Sequence, residues 1–151
     1  LHKVDIELLK ETLNVDFLCQ ALCLRAELKL MGPGSSIVNI SSVNGLRPTP
    51  NASMYSASKH ALEGLTRSVA LESIGSGIRI NAVAPGVTWT PRWEVRQLEN
   101  ENIRSEVSQA VPMKRFGCTN EIVDAIEFLL SDKATYIVGH TLVVDGGLSL
   151  A

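Results

Sequence analysis

Three residues have the types and the spacing that acid–base chemistry on a carbonyl group requires: Ser42, Tyr55 thirteen residues later, and Lys59 after four more. On a helix, a tyrosine and a lysine four residues apart share one face. A phenol with a pKa of about 10 is a poor acid or base at neutral pH, but an ammonium about 4 Å away shifts that pKa by roughly three units at an effective dielectric constant of about 20. The sequence therefore predicts that Tyr55 donates a proton to a carbonyl oxygen that the serine hydroxyl holds in place.

The elements that must position these residues alternate between helices and strands. Helices are predicted where apolar residues recur at helical spacing, and strands where short apolar runs precede turn residues. The predicted helices span Val4–Met31, Ser53–Ser73 and Thr119–Leu130, and the predicted strands span Ile37–Ile40, Ile78–Ala84 and Thr141–Val144. Ser53 and Thr119 are expected to act as N-caps. Strands that alternate with helices predict parallel βαβ units in one α/β domain.

A polar and charged segment, Pro91–Val111, follows the second predicted strand, and we expect it to be mobile with some helix. Trp89 and Trp93 lie at its start. They would either line a substrate pocket or pack the base of the segment. Both interpretations remain open from the sequence.

Composition and charge exclude several classes of protein. The chain has 151 residues, of which 45% are hydrophobic and 20% are charged, as in an ordinary globular domain. Its formal charge of −2 gives no electrostatic reason to expect nucleic acid or an anionic membrane as a partner. No apolar run reaches the roughly 18 residues of a membrane span, and no signal-peptide pattern opens the chain.

The three cysteines, Cys19, Cys23 and Cys118, are predicted to be reduced thiols of a cytoplasmic protein. Cys19 and Cys23 stand four residues apart in an apolar helical stretch, where we expect them to pack as small hydrophobic side chains. A metal site would need further ligands near them, and the sequence offers none. We therefore expect no metal centre.

Four sequence blocks carry a resemblance that extends over nearly the whole chain. In order they are GSSIVNISS, YSASKHALEGLTRSVALE, IRINAVAPGVTWT and VGHTLVVDGG. In composition, order and separation they resemble the short-chain dehydrogenase/reductase family. The resemblance implies a Rossmann-like, doubly wound parallel sheet and an NAD(P)-dependent oxidoreductase that interconverts a secondary alcohol and a ketone.

The resemblance also implies a role for each of the three opening residues. Ser42, rather than Ser41, would orient the substrate oxygen, because Ser42 has the family's spacing to the tyrosine. Tyr55 would be the general acid and base, and Lys59 would lower its pKa and bind the nicotinamide ribose. Asn14, within TLNVDFLC, would be the family's fourth catalytic residue, which holds a helix kink and a water leading to the lysine. Alternatively, it is a polar residue of the helix surface.

A cofactor contact is implied for the turn PGVTWT, which follows the second predicted strand and matches the family's PGxxxT pattern. Open α/β sheets bind ligands at the carboxyl ends of their strands, where this turn lies. Pro85 and Gly86 would form the turn. Val87 would meet the nicotinamide carboxamide through its backbone, and Thr90 would bond the carboxamide or the pyrophosphate. Asn44, near the serine, is a further candidate for contact with the substrate.

The family's first cofactor element is absent from the sequence. No TGxxxGxG loop, whose glycines let a backbone approach the pyrophosphate, occurs in a chain that begins at Leu1. By the resemblance, residues 1–151 are the last three-fifths of a reductase, the catalytic part of a single NAD(P)-binding domain whose N-terminal strands are missing. The choice between NAD and NADP stays open, and we expect this part alone to bind either dinucleotide weakly or not at all. The strand at 37–40 would present a bare apolar edge.

Two alternatives to an alcohol dehydrogenase remain open. The block VPMKRFGCTNEIVDAIEFLLSDKATYIVGHTLVVDGG resembles 3-oxoacyl thioester reductases that act on acyl carriers, although Arg47, Arg92 and Arg96 are too few to decide for such a partner. The family's enoyl reductases usually separate the tyrosine and the lysine more widely. The chain could instead be an inactive, truncated fragment that acts only as an interaction partner.

The resemblance implies two kinds of partner, a small-molecule alcohol or ketone and a second copy of the chain. The helices Val4–Met31 and Ser53–Ser73 would pair with a second subunit in a homodimer or homotetramer. Small residues on the second of these helices, Ala57, Ala61 and Gly64, would permit close approach of another helix or of a cofactor.

Overall fold

Three parallel strands form the centre of this computed structural model, which describes residues Leu1–Ala151. They are β1 (Ser36–Ile40), β2 (Arg79–Pro85) and β3 (Thr141–Val144), hydrogen-bonded in the order β1-β2-β3. The central strand β2 is buried from its first residue to Ala84, as expected for a strand covered on both faces. The predicted fold class is confirmed, and each predicted strand boundary is within one residue of the observed one.

Helices cover both faces of the sheet, as in a doubly wound fold. They are α1 (Ile6–Leu13), α2 (Cys19–Glu27), α3 (Ser53–Ile74), α4 (Pro91–Glu99), α5 (Ile103–Ala110) and α6 (Thr119–Leu130). On one face, α2 and α3 enclose a core that includes Ile37 and Ile80, and on the other, α6 packs with Val38 and Val83. Because successive strand residues point to opposite faces, β1 and β2 supply apolar side chains to both layers. No helix combines the length and the hydrophobicity that a membrane crossing requires.

The first predicted helix, Val4–Met31, contains an irregular segment. A π-helical stretch, Asn14–Leu18, joins α1 to α2, and in it the Cys19 N–H bonds the Asn14 carbonyl five residues back. Such stretches occur frequently at functional sites and kink the helices that contain them. The resemblance implies a kink at Asn14, and the irregular segment begins there.

Both predicted N-caps are wrong by one residue. Ser53 is already helical, and Ala52 occupies the N-cap without a side-chain hydrogen bond. The N-cap of α6 is Cys118 rather than Thr119, and the Glu121 carboxylate accepts a hydrogen bond from the Cys118 N–H at 2.8 Å. A carboxylate three residues after the N-cap is the capping-box pattern, and it decides where α6 begins.

The three cysteines are free and exposed, which contradicts the expectation that Cys19 and Cys23 pack as hydrophobic side chains. The contact of α2 with the core is made by Leu24, which is only 2% exposed. Apolar residues extend around this helix, so that composition alone does not mark the buried side. Cys19 lies one turn before Cys23, and the neighbouring thiol raises the pKa of Cys23.

The polar segment forms two short helices, α4 and α5, where the sequence predicted some helix. Trp89 and Trp93 pack edge-on against Phe116, with ring centroids 5.1 and 5.0 Å away. These aromatic contacts fix the start of the segment against the loop that precedes α6.

Gly45 allows helix α3 to approach the end of β1. A Cβ at this position would lie 2.9 Å from the Lys59 carbonyl oxygen and 3.0 Å from the Ser41 hydroxyl oxygen. The first distance is shorter than Cβ contacts in proteins and involves a backbone atom, so that a residue other than glycine would force the backbone to shift. The loop that carries Ser42 can therefore lie directly against the turn of α3 that carries Lys59.

Replacing Gly45 by alanine would force α3 away from the end of β1. We expect Gly45→Ala to lower the free energy of unfolding by about 1–3 kcal/mol, the range typical of overpacking, as measured by urea denaturation. Gly75→Ala is the matched control, because Gly75 follows α3 with a φ of −61° and a Cβ there would meet nothing within 4 Å. Equal stability of the two variants would contradict the steric role of Gly45.

Candidate active site

A cleft of about 1040 Å³ opens at the carboxyl ends of β1 and β2. Parallel sheets bind ligands at this edge. Most of the residues that the sequence suggests for chemistry and binding line the cleft, namely Ser42, Asn44, Tyr55, Pro85, Gly86, Val87, Thr90 and Trp93. Residues that are distant in sequence are thus brought to one place because their strands end side by side.

Ser42 begins the loop that follows β1. Its backbone is extended, and its Oγ accepts a hydrogen bond from the Asn44 N–H at 3.2 Å, which caps the short 3-10 turn Val43–Gly45. The neighbouring Ser41 is 3% exposed, and its N–H donates to the Val83 carbonyl at 2.8 Å, so that its backbone extends the pairing of β1 with β2. Ser42 therefore has a fixed position at the cleft, and its hydroxyl proton is available for donation.

Tyr55 and Lys59 lie one turn apart on α3. The Lys59 ammonium is 5.7 Å from the centroid of the Tyr55 ring and donates a hydrogen bond of 3.0 Å to the carbonyl of Ile40, the last residue of β1. Lys59 is 6% exposed. Burial lowers the pKa of its side chain because the ammonium loses hydration, while the negative charge of Asp16 acts in the opposite direction. A cation is thus held beside the tyrosine, between helix and strand.

The helix that precedes β1 contributes two polar residues to the cleft, and the role of Asn14 stays a prediction. Asn14 is exposed and does not line the cleft, whereas Thr12 and Asp16 do. Asp16 is the only carboxylate that lines the cleft. The four-residue spacing of Thr12 and Asp16, which places both on one face, is the sequence signal that finds them.

The two tryptophans differ in position. Both pack on Phe116, but only Trp93 also lines the cleft, so that a contact with substrate is not supported for Trp89. Asn44 lines the loop side of the cleft and accepts a hydrogen bond from the Thr49 hydroxyl at 2.9 Å. Its amide NH2 group stays available as a donor.

The residues at the ends of β1 and β2 fit the nicotinamide half of a dinucleotide. The Thr88 hydroxyl oxygen, which the sequence reasoning missed, is buried at the cleft and has no hydrogen-bond partner in the protein. Lys59 uses one of its three donors on Ile40 and can offer others to ribose hydroxyls. Gly86 lets the ends of β2 and β3 meet, since a Cβ there would lie 2.7 Å from the Asp145 Cβ. Buried polar groups generally bond a partner, and a nicotinamide riboside has the amide and hydroxyl groups to supply one.

Comparison with known proteins identifies the family. The sequence profile described as enoyl-(acyl carrier protein) reductase matches residues 1–149. The chain is 42% identical over 142 residues to the uncharacterized oxidoreductase YohF of Escherichia coli strain K12, a match that covers 93% of this chain and 54% of YohF. It is 40% identical over 150 residues to the short chain dehydrogenase/reductase astE of Aspergillus oryzae, covering 93% of this chain and 56% of astE. This chain belongs to the short-chain dehydrogenase/reductase family.

Solved structures of short-chain dehydrogenase/reductases match the fold along the whole chain. A variant of ElxO with NADPH bound has a TM-score of 0.93 at 32% identity and covers 100% of this chain and 62% of its own. Levodione reductase has a TM-score of 0.90 at 39% identity, covering 99% of this chain and 61% of its own. For 4-hydroxyisoleucine dehydrogenase complexed with NADH the TM-score is 0.90 at 32% identity, with 99% and 62% covered. The chain spans a little over half the length of the curated relatives, 54% of YohF and 56% of astE.

Removing the negative charge of Asp16 from this short-chain dehydrogenase/reductase would lower the pKa of Lys59 further, because burial would then act on the ammonium without an opposing charge. We expect the titration of the Lys59 side chain, followed by NMR, to move to lower pH in Asp16→Asn. Glu11→Gln is the matched control, since Glu11 is an exposed carboxylate of α1 that does not line the cleft. An unchanged Lys59 titration in Asp16→Asn would show that the two charges do not interact.

Proposed function

We propose that the protein containing this chain is an NAD(P)-dependent oxidoreductase that interconverts a secondary alcohol and a ketone by hydride transfer. The observation that carries the proposal is the position of Ser42 and Tyr55 at one cleft, with the Lys59 ammonium 5.7 Å from the tyrosine ring. The activity is assigned to the whole protein, because this chain spans only 54% of the relative YohF. Residues 1–151 would be the catalytic part of a single NAD(P)-binding domain.

Each of the three residues has a distinct task in this reaction. In ketone reduction, the Ser42 hydroxyl donates a hydrogen bond to the substrate carbonyl oxygen and holds it in place. The Tyr55 hydroxyl gives its proton to that oxygen as negative charge develops there, and it takes the proton back in alcohol oxidation. The Lys59 ammonium stabilises the tyrosinate that results. The hydride for the carbonyl carbon would come from NAD(P)H bound in the same cleft.

The anchoring of Lys59 supports its task. Lysine side chains usually extend their ammonium group into solvent. Because the Lys59 ammonium donates a hydrogen bond to the Ile40 carbonyl at 3.0 Å, its charge stays beside Tyr55 instead. Burial lowers the local dielectric constant, which strengthens the interaction between the ammonium and a phenolate. The remaining donors of the ammonium would bind the nicotinamide ribose.

The turn after β2 would hold the nicotinamide ring of NAD or NADP. Pro85 and Gly86 would shape the turn, the Val87 backbone would bond the carboxamide, and Thr90 would bond the carboxamide or the pyrophosphate. Their position in the same cleft as Tyr55 supports this assignment. Carboxyl ends of parallel strands are the usual place for such a contact.

A 3-oxoacyl thioester reductase is the second candidate. Three arginines line the cleft, Arg47, Arg92 and Arg96, and they could contact an acidic acyl carrier or the phosphate of its prosthetic group. If the whole protein reduces acetoacetyl-coenzyme A clearly faster than a simple ketone, the result would favour the thioester reductase over the alcohol dehydrogenase.

Tyr55→Phe removes the proposed acid and base and leaves the ring in place. We expect kcat of the whole protein, measured by the change in NAD(P)H absorbance, to fall about 10²–10⁴-fold, the usual contribution of a general acid or base. Tyr136→Phe is the matched control, because Tyr136 is 100% exposed and does not line the cleft. Unchanged turnover in Tyr55→Phe would refute the assigned mechanism.

We also propose a homodimer or homotetramer that forms through α1, α2 and α3. Large apolar side chains on these helices and on the π-helical stretch are exposed in the single chain: Leu8, Leu18, Leu22, Leu71 and Ile74. Large exposed apolar patches mark protein interaction sites, and we expect these side chains to form such a patch.

The protein would be cytoplasmic, because a reducing compartment keeps its three free cysteines as thiols.

A charge on this helical surface would disrupt the assembly. Leu22 is 55% exposed on α2, and we expect Leu22→Glu to lower the molar mass of the whole protein, determined by light scattering, towards that of a monomer. Leu98→Glu, at an 86% exposed leucine of α4, should leave the mass unchanged. The assembly would have to use another surface if Leu22→Glu had no effect on the mass.

A further inference from the structure

The charge of the cleft is unbalanced. Its lining includes Arg47, Arg92 and Arg96 against a single carboxylate, that of Asp16. None of the three arginines takes part in a salt bridge, and the ion pairs of the chain lie elsewhere: Lys10–Glu7, Arg67–Glu63 and Arg115–Glu121. Guanidinium groups that form no salt bridge within the chain favour an anionic ligand.

Two of these arginines lie on α4. Arg92 and Arg96 are one helical turn apart, a spacing that destabilises a helix when both residues carry the same charge. The Arg96 guanidinium lies 4.7 Å from the centroid of the Trp93 ring, and Trp93 in turn packs on Phe116. The stacked ring limits the freedom of the guanidinium, so that Arg96 is held at the wall of the cleft.

Arg47 lies on a different wall, in the loop that follows β1. Its Nη1 donates to the Ala151 carbonyl at 3.2 Å, but its Nε is buried and has no hydrogen-bond partner. The Asp145 carboxylate accepts hydrogen bonds from the Gly147 and Ser149 N–H groups, and it attracts the Arg47 charge without forming a hydrogen bond to its guanidinium. A buried donor without a partner is costly, and an oxyanion is the acceptor that suits a guanidinium best.

We propose that the substrate of this site carries an oxyanion, a carboxylate, sulfonate or phosphate group, which Arg96 and Arg47 bind while the carbonyl or hydroxyl group reaches Tyr55. The inference rests on the proposed oxidoreductase function and makes Arg96 a residue that determines its specificity. A charge-assisted contact with a guanidinium fixes the orientation of the substrate as well as its position. A neutral ketone of the same shape leaves the arginines unpaired and binds less tightly.

The test compares an acid with its neutral ester. The whole protein is titrated with 4-oxocyclohexanecarboxylate and with its methyl ester while tryptophan fluorescence is recorded. Trp93 lines the cleft, and Trp89 is the only other tryptophan of residues 1–151. We expect the acid to bind at least about 10-fold more tightly than the ester. We expect Arg96→Gln to weaken binding of the acid by about 10- to 100-fold, because the variant loses a hydrogen bond to a charged group. Arg104→Gln is the matched control, because Arg104 also stacks on a tryptophan, 4.4 Å from the centroid of Trp89, but does not line the cleft.

Three results would overturn the proposal. The first is equal affinity for the acid and the ester, and the second is an equal loss of affinity for the acid in Arg96→Gln and Arg104→Gln. The third is an Arg96→Gln variant that still binds the acid but no longer binds NADPH or NADH. In the last case the arginines would serve the phosphates of the cofactor. Turnover separates this proposal from the proposed function: selective binding of the acid, with neither ketone reduced by NADPH or NADH, would contradict the oxidoreductase and support the anion site.

Discussion

The hydrogen bond between the Lys59 ammonium and the Ile40 carbonyl is the contact on which the site depends. It joins α3 to the last residue of β1 over 3.0 Å, at a lysine that is 6% exposed. A buried ammonium is costly unless it is bonded, so that this contact constrains how the helix lies against the strand. Tyr55, one turn earlier on α3, and Ser42, two residues after the strand, reach the same cleft as a consequence.

Close approach of backbone segments makes that contact available. At Gly45 the loop after β1 meets α3, and at Gly86 the end of β2 meets Asp145, in each case at distances that leave no space for a Cβ. Parallel pairing of β1 with β2 and of β2 with β3 brings the carboxyl ends of all three strands to one edge. β1 itself is an edge strand, as expected from the sequence, and Ile40 at its end is 41% exposed. The chain therefore presents, at these strand ends, the cleft for which we propose the nicotinamide contact, while residues 1–151 contain no glycine-rich loop for the phosphates.

The sequence predicts those features that depend on local pattern. Strand positions follow from short apolar runs, and the shared face of Tyr55 and Lys59 follows from helical spacing. The role predicted for Asn14 stays a prediction, because a match of residue types does not specify which side of an irregular helix faces the cleft. Thr12 and Asp16 line the cleft instead, and their four-residue spacing is a local signal as well. The unpartnered Thr88 hydroxyl could not be predicted, because it arises from contacts between segments that are distant in sequence.

A crystal structure of the whole protein with oxidised NAD(P) and a bound secondary alcohol would show whether the three residues act together. We expect the alcohol oxygen to lie about 2.6–3.2 Å from both the Ser42 Oγ and the Tyr55 Oη, the range that proton transfer requires. We also expect the Lys59 Nζ to keep its hydrogen bond to the Ile40 carbonyl. An alcohol oxygen bound away from Tyr55, or a lysine detached from the strand, would contradict the proposed mechanism.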